Sequence, residues 1–297
     1  FAGAYVAGDV LPAYDITPTL DLEEILNLAT SGQLGRLTSI IGREQGGAQF
    51  SIRLRGRGVA YAAGTRPEWD LPMRGCGHSS TVDATLNLEK VTYAPTSTHE
   101  SMTIYVHQKN GPSVQLAGCF GTVDFAMTAG GVLEARFSFQ GLLDAVADIT
   151  HVPGTLAATP QFPVMKSAAF QIDTANYAPR IARVGLSVGN FLQPLPAINS
   201  AGGIAGFFIA DRNPRLTIDP EADLVANYDW FTKWKTQSLA DCTFQVGLTQ
   251  YNRIKFNFTK VQTASQPWGA RDGLTAFNTQ LLAVLTAGND DYSIVAD

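Results

Sequence analysis

A chain of 297 residues, 45 % of them hydrophobic, is long enough for one large domain or two ordinary ones, and about three quarters of its unfolded surface is expected to be buried on folding. Charged residues reach only 16 %, well short of the usual share, so the exterior is built from uncharged polar groups and glycine or is covered by other chains. A net charge of −5 argues against a protein made to grip phosphate backbones, and the excess is one-sided: residues 1–150 hold ten basic and fifteen acidic side chains, residues 151–297 eleven of each.

Cys76, Cys119 and Cys242 are too few and too scattered for a disulfide framework, which fits a reducing assembly compartment. No Lys or Arg precedes Arg36, so the start lacks the charged region of a secretory signal, and the longest apolar stretch, Gly202 to Ala210, is too short to span a bilayer. The expectation is a soluble protein without a membrane partner.

In chain order, residues 1–30 read as an N-terminal arm. Leu22, Ile25, Leu26 and Ala29 follow Asp21, Glu23 and Glu24 at helical spacing and predict a short helix on it. From Leu34 to Gly58 the pattern alternates, with Ile52, Leu54 and Gly56 opposite Arg53, Arg55 and Arg57, a strand with a basic face. Thr65 with Glu68 three residues on predicts reciprocal capping of a helix that runs to Arg74 and stops at Gly75 and Gly77. Leu88 to Tyr93, Ser101 to Gln108, Ser113 to Cys119, Gly121 to Thr128 and Val132 to Gln140 are rich in β-branched and aromatic residues. With turns at Asn110-Gly111 and Gly130-Gly131 they predict an antiparallel meander.

The pattern dissolves around residues 141–163, where Pro153, Gly154, Pro160 and Pro163 mark a linker bounded at 151–163. Beyond it, Asp219 and Pro220 with Glu221 and Asp223 predict a helix start. Leu224, Tyr228, Phe231 and Trp234 would lie along one face, with Lys233 and Lys235 in the last turn. Then comes Cys242 to Leu248, a turn near Tyr251-Asn252, and Arg253 to Phe258. This matches Cys119 to Met127 and Glu134 to Phe139: each hairpin ends in basic, Phe, small polar, Phe, which suggests an internal duplication. The expected domains are residues 31–150 and 164–297.

Catalytic chemistry has little to stand on. The histidines are His78, His99, His107 and His151, and Cys76 with His78 lacks the second pair of a structural zinc site. Ser79 and Ser80 have no nucleophile elbow around them, and no phosphate-cradling glycine loop occurs. Gly288-Asn289-Asp290-Asp291 lacks the ladder of a calcium loop and reads as a polar turn before a last strand, Tyr292 to Val295. The Arg53, Arg55, Arg57 stripe fits ion pairing with acidic neighbours better than nucleic acid. No enzyme, metal or cofactor is expected.

The middle of the first half carries an ordered set of elements. It comprises Leu71 with Arg74-Gly75-Cys76-Gly77, Tyr93-Ala94-Pro95, Ser101-Met102-Thr103-Ile104, Ala117-Gly118-Cys119-Phe120-Gly121, and Phe137-Ser138-Phe139-Gln140-Gly141. In this order the chain resembles the major tail tube proteins of long, non-contractile-tailed bacteriophages, most clearly over residues 50–142. The resemblance implies a mainly β chain of two tandem β-sandwich domains, each flanked by a short helix, with an arm and long loops. It further implies an inner β-barrel completed when copies of the chain form stacked rings, a conduit for genome passage in the virion tail. A duplicated chain suits a trimer with pseudo-sixfold symmetry rather than a hexamer. Implied partners are the chain itself, tape-measure, terminator and baseplate proteins, and double-stranded DNA in transit, with assembly in the host cytoplasm. Asp124 and Glu134 are candidates for the lumen face; Leu22, Ile25 and Leu26 are candidates for ring stacking. The alternatives are a terminator, adaptor or hub of similar fold, or a carbohydrate-binding β-sandwich. Trp69, Trp230, Trp234 and Trp268 do not form the strand platform that sugar stacking would want.

Overall fold

The computed structural model describes residues 9–29, 37–108, 111–154, 159–173 and 177–297. The beginning of the arm, Thr30, Asn110 and part of the expected linker lie outside them. The first half comprises β1 (Ala13–Ile25), β2 (Ile40–Arg53), α1 (Asp70–Gly75), β3 (His78–Asp83), β4 (Lys90–Pro95), β5 (Met102–His107), β6 (Ser113–Thr128) and β7 (Glu134–Ala147). There follow β8 (Gln171–Ile172), β9 (Arg183–Ser187), β10 (Asn190–Pro196), β11 (Ile204–Arg212), β12 (Arg215–Ile218) and α2 (Trp230–Thr236). The remainder is β13 (Leu239–Val246), β14 (Ile254–Ser265), β15 (Trp268–Arg271), β16 (Leu274–Phe277), β17 (Thr279–Ala283) and β18 (Ser293–Ala296). The protein is thus mainly β with one short helix in each half, as the sequence pattern leads one to expect.

One sheet runs through both halves in the order β1-β2-β7-β6-β9-β12-β17-β14-β18-β4-β3, with β13 on β14, β5 on β6 and β8 on β13. It does not close into a barrel. The halves are joined twice: β6 pairs with β9 over Asp124–Thr128, and β18 lies between β14 and β4. The pairs β10–β11 and β15–β16 are separate hairpins.

The alternation of β6 and β7 explains their place. Val123, Phe125, Met127, Ala135, Phe137 and Phe139 are buried, while Asp124, Ala126, Thr128 and Arg136 point out. Phe50 stacks on Phe137 at 5.4 Å and on Phe139 at 5.8 Å. Phe125 meets Phe256 edge-on at 5.4 Å, and Phe256 stacks on Phe244 at 4.8 Å. The two Phe-x-Phe elements that the sequence repeats therefore serve one continuous core. Gly121 makes this possible, since a Cβ there would lie 2.6 Å from the Phe139 ring.

Several expectations are corrected. Leu22 and Ile25 lie on strand β1, not on a helix: ten register pairs tie it to β2, from Ala13↔Ile52 to Ile25↔Ile40. A short helix without a surface to pack on pays its nucleation cost unaided, whereas the ladder satisfies the backbone directly. Thr65 makes no capping box. Its hydroxyl accepts from Ala62 N and donates to Ala62 O, while Glu68 pairs with Arg55 at 3.0 Å. Asp219 does not start a helix either, because its Oδ1 accepts from the backbone N–H groups of Ala182 and Arg183 at 2.8 and 2.7 Å. The second helix begins at Asp229, whose carboxylate accepts from Thr232 N at 2.9 Å, and it ends at Gln237 in the left-handed region. The expected strands at Ser113 and Gly121 are one 16-residue strand that bulges at Gly118, where φ is 61°. β7 runs on to Ala147, into the stretch where the sequence pattern dissolves.

Phe256 is fully buried between the two hairpins, so Phe256→Ala should destabilise the fold by about 3–5 kcal/mol, read as a lowered denaturant midpoint with an unchanged slope.

Candidate assembly surfaces

Opposed residues in antiparallel strands share a face, so the registers trace what the sheet presents outward. One row runs Ser51, Arg136, Asp124, Ser187, Arg215, Leu282, Gln262 and Leu239, from β2 through β7, β6, β9, β12, β17 and β14 to β13. The next runs Arg53, Glu134, Ala126, Gly185, Thr217, Gln280 and Ser265. The result is one uninterrupted face that both halves build, mostly of small and polar side chains, with Leu282 and Leu239 toward β13.

Asp124 and Glu134 both sit on this face. Glu134 pairs with Arg53 at 3.3 Å, and Asp124 stands opposite Arg136, whose guanidinium donates to Gln49 at 3.1 Å. Arg183 lies 3.7 Å from Asp219. Most positive charge on the face thus has an acid or amide beside it. Arg55 of the sequence stripe is buried against Glu68 instead, and the stripe is no continuous basic surface.

The second surface is the arm. Beyond Gly46 and Gly47, β1 and β2 leave the sandwich as a two-stranded ribbon. A Cβ on Gly46 would lie 2.6 Å from Leu116, and one on Gly47 2.8 Å from the Phe139 carbonyl, so the ribbon departs where only glycine fits. Its register puts Leu20 and Leu22 on the side of Gly46 and Ala48, with Glu44 opposite Leu22, and the turn of the β10–β11 hairpin meets the ribbon where Glu44 N donates to the Gly202 carbonyl at 3.2 Å. Leu22 is 45 % exposed, Ile25 48 % and Ile40 66 %, and Leu26 follows at 48 %. On the other side Glu23 pairs with Arg43 at 2.6 Å and Asp21 accepts from Gln45. An isolated two-stranded ribbon is marginal in water, so an apolar face of this kind calls for a partner.

The family described as phage tail tube protein matches residues 4–277. The chain belongs to this family. No curated protein matches the sequence. In this tail tube protein the stacking candidates Leu22, Ile25 and Leu26 come together on or beside one ribbon, and the lumen candidates Asp124 and Glu134 on one sheet face. The strand expected between Leu34 and Gly58 is present as β2, but sequence reasoning did not foresee that its beginning, Ile40 and Ile41, pairs with the arm. It also missed that Trp268 is exposed, at 64 %, on a short hairpin of its own.

Of the groups singled out by the sequence, His78 and Cys76 are built into the core, whereas His99 and His107 are half-buried and His151 is exposed. His78 is buried, with one ring nitrogen 3.0 Å from the Met73 carbonyl and the other 2.7 Å from the Tyr292 hydroxyl. Both nitrogens are thereby engaged in holding α1 to the segment before β18. Cys76 is buried beside it, its thiol pushed well up by desolvation. Ser80 donates to Asp70 at 2.6 Å, and Asp70 also accepts from Tyr93 at 2.9 Å and pairs with Arg74 at 3.0 Å. At the Gly288–Asp291 turn, Asp290 accepts from Thr286 N at 2.8 Å and Asp291 pairs with Arg212 at 3.0 Å, so these carboxylates hold the chain itself.

Burial lowers the His78 pKa to about 4 from the usual 6.5. Between those values the unfolded chain binds the extra proton, so stability falls as pH drops from 6.5 toward 4, by up to about 3 kcal/mol. A melting-temperature series over that range should show the loss. His78→Gln should be less stable at pH 7 and flatter in its pH dependence; an unchanged slope would assign the acid sensitivity elsewhere.

Proposed function

We propose that the chain assembles into rings that stack into the tube of a phage tail, with the genome passing through the lumen. The observation that supports this most directly is the outward sheet face. It is continuous across both halves, lacks any convergent pocket chemistry among the described residues, and belongs to a sheet whose strand path ends in open edges at β1 and β3. Further copies of the chain continue such a sheet until it closes on itself, which removes its free edges. The matching hairpins at β6–β7 and β13–β14 support reading the halves as fused repeats, residues 31–150 and 164–297, joined by 151–163. Three copies then complete a ring with pseudo-sixfold symmetry.

The role is mechanical and electrostatic. Apart from Leu282 and Leu239 toward β13, the row is small or polar and presents little apolar surface for bases to adhere to. Arg53, Arg136 and Arg183 stand beside Glu134, Asp124 and Asp219, which weakens their hold on a phosphate backbone, while Arg215 has Ser187 and Leu282 opposite it. Asp124 and Glu134 are the lumen acids in this reading. Leu22, Ile25 and Leu26 on the arm are the stacking contacts, and tape-measure, terminator and baseplate proteins meet the tube in the virion. The reading assigns the chain no catalysis.

Negative-stain microscopy of the purified chain at rising concentration should show tubes with a regular axial repeat. A monodisperse monomer at every concentration overturns the reading, and isolated rings should give multiples of three in native mass spectrometry. Leu22→Asp with Ile25→Asp should leave the sandwich folded and abolish tubes. Asp124→Lys with Glu134→Lys should leave tubes intact and slow genome ejection; if tubes fail instead, these acids belong to an interface.

A further inference from the structure

The β10–β11 hairpin stands outside the main sheet and crosses β6, β7 and β2 on its way to the arm ribbon. Its base is fixed where the two halves meet. Asn190 Nδ2 donates to the Cys76 and Gly121 carbonyls, both at 2.8 Å, and the Asn190 backbone N–H donates to the Thr122 hydroxyl at 3.2 Å. On the second strand Arg212 holds Asp291 through two contacts, at 3.0 and 3.2 Å. Along its length Ile204 and Phe207 are buried, and a Cβ on Gly77 would lie 2.8 Å from Ile209. The hairpin is thus a seated element rather than a loose excursion.

Its tip meets the ribbon where the ribbon loses its other support. β7 pairs with β2 only as far as Gly141↔Gly46, so beyond Gly46 that edge of β2 has no further strand of the sheet beside it. Two residues on, Glu44 N donates to the Gly202 carbonyl at 3.2 Å. A Cβ on Gly202 would lie 3.6 Å from that of Glu44, and one on Gly203 3.2 Å from Arg43 Cγ, so the turn sits against the ribbon backbone. Pro194 lines a polar cavity of about 240 Å³ with Asp21, Glu23, Arg43 and Gln45, on the side of the ribbon opposite Leu22. A two-stranded ribbon is marginal in water by itself, and a third element tied to its edge supplies what it lacks.

We infer that the β10–β11 hairpin braces the arm: it holds the ribbon in one direction in the single chain, before any second copy is met. Its base rests on β6, on the end of α1 and on the segment before β18, so both halves together set the direction of the arm. The hairpin meets the ribbon at its edge and its polar side, and Leu20 and Leu22 remain about half exposed. The consequence for assembly rests on the stacked-ring reading: a ribbon that is already ordered loses less conformational freedom on docking, so association is tighter than for a free arm.

The test uses the full-length chain at a concentration below assembly. Replacing residues 197–203 by Asn-Gly keeps the Pro196↔Ile204 pair and removes the contact with Glu44. Hydrogen exchange in the ribbon, residues 17–25 and 40–45, should become about tenfold faster, while exchange in β6 and β9 stays as in the parent chain. Unchanged exchange in the ribbon overturns the inference. So does faster exchange throughout, which would make the hairpin a part of the core and not a brace. A second variant closes the contact. Glu44→Cys with Gly202→Cys puts two Cβ atoms at a separation that a disulfide accepts, and the native Cys76, Cys119 and Cys242 are buried. Under mild oxidation the dilute chain should form this bond within one molecule; failure to form it overturns the brace. When concentrated, the oxidised chain should build tubes as readily as the reduced one. Tubes from the reduced form only would show that the arm must leave the hairpin to assemble, and overturn the inference. If the unmodified chain builds no tubes, the stacked-ring reading fails, and the exchange and disulfide results still decide the brace.

Discussion

The ladder between β6 and β9 is the interaction on which the rest depends. Five register pairs, from Asp124↔Ser187 to Thr128↔Arg183, carry the sheet from one half of the chain into the other. Without them β1, β2, β7, β6 and β5 would form a separate sheet with its own edges, and only β18, between β14 and β4, would join the halves. With them, the outward rows run without a break from β2 to β13, and the phenylalanines of both hairpins face a common interior. Backbone pairing makes the face continuous, and side-chain alternation makes it polar.

The two halves share a local grammar but not a separable structure. β18 hydrogen-bonds to β14 on one side and to β4 on the other, so the last described strand completes sheets that began in different halves. Trp69 illustrates how α1 serves this arrangement: it lies 4.7 Å from Tyr93 on β4 and donates its indole N–H to the Arg55 carbonyl beyond β2. A buried indole with its polar atom satisfied is both apolar filler and a positional lock.

Strand content, the two hairpins, the Gly130-Gly131 turn and the terminal strand were legible in the sequence because period-two alternation and turn glycines are local signals. The errors arose where a distant partner decided the outcome. Leu22, Ile25 and Leu26 have helical spacing, yet the ladder to β2 overrides it. Asp219 and Pro220 have the grammar of a helix start, yet the carboxylate is taken by the backbone of Ala182 and Arg183. The arm was legible as an apolar segment in need of a partner, although its conformation was not. Asp124 and Glu134 were legible as outward residues of a hairpin. That their face extends across both halves was not, since it depends on the register between β6 and β9, which no short motif encodes.

The low charge of the chain follows from the same economy. Many of its ions are used internally: Arg55 with Glu68, Arg212 with Asp291, and Arg271 with Asp219 and Glu221 are all at least partly buried pairs. Such pairs hold loops in place more than they stabilise the fold, since desolvation offsets much of the attraction. They leave the outer faces to serine, threonine, glutamine and small residues.

The position of β18 has a temporal consequence. During synthesis, β4 emerges early, but its partner across the ladder is the last strand described, so the interior around Tyr93 and Phe256 stays incomplete until nearly the whole described chain has been made. Contacts so distant along the chain form slowly. The order of synthesis therefore leaves the closing of this interior to the last strand described, long after β1 and β2 have been made.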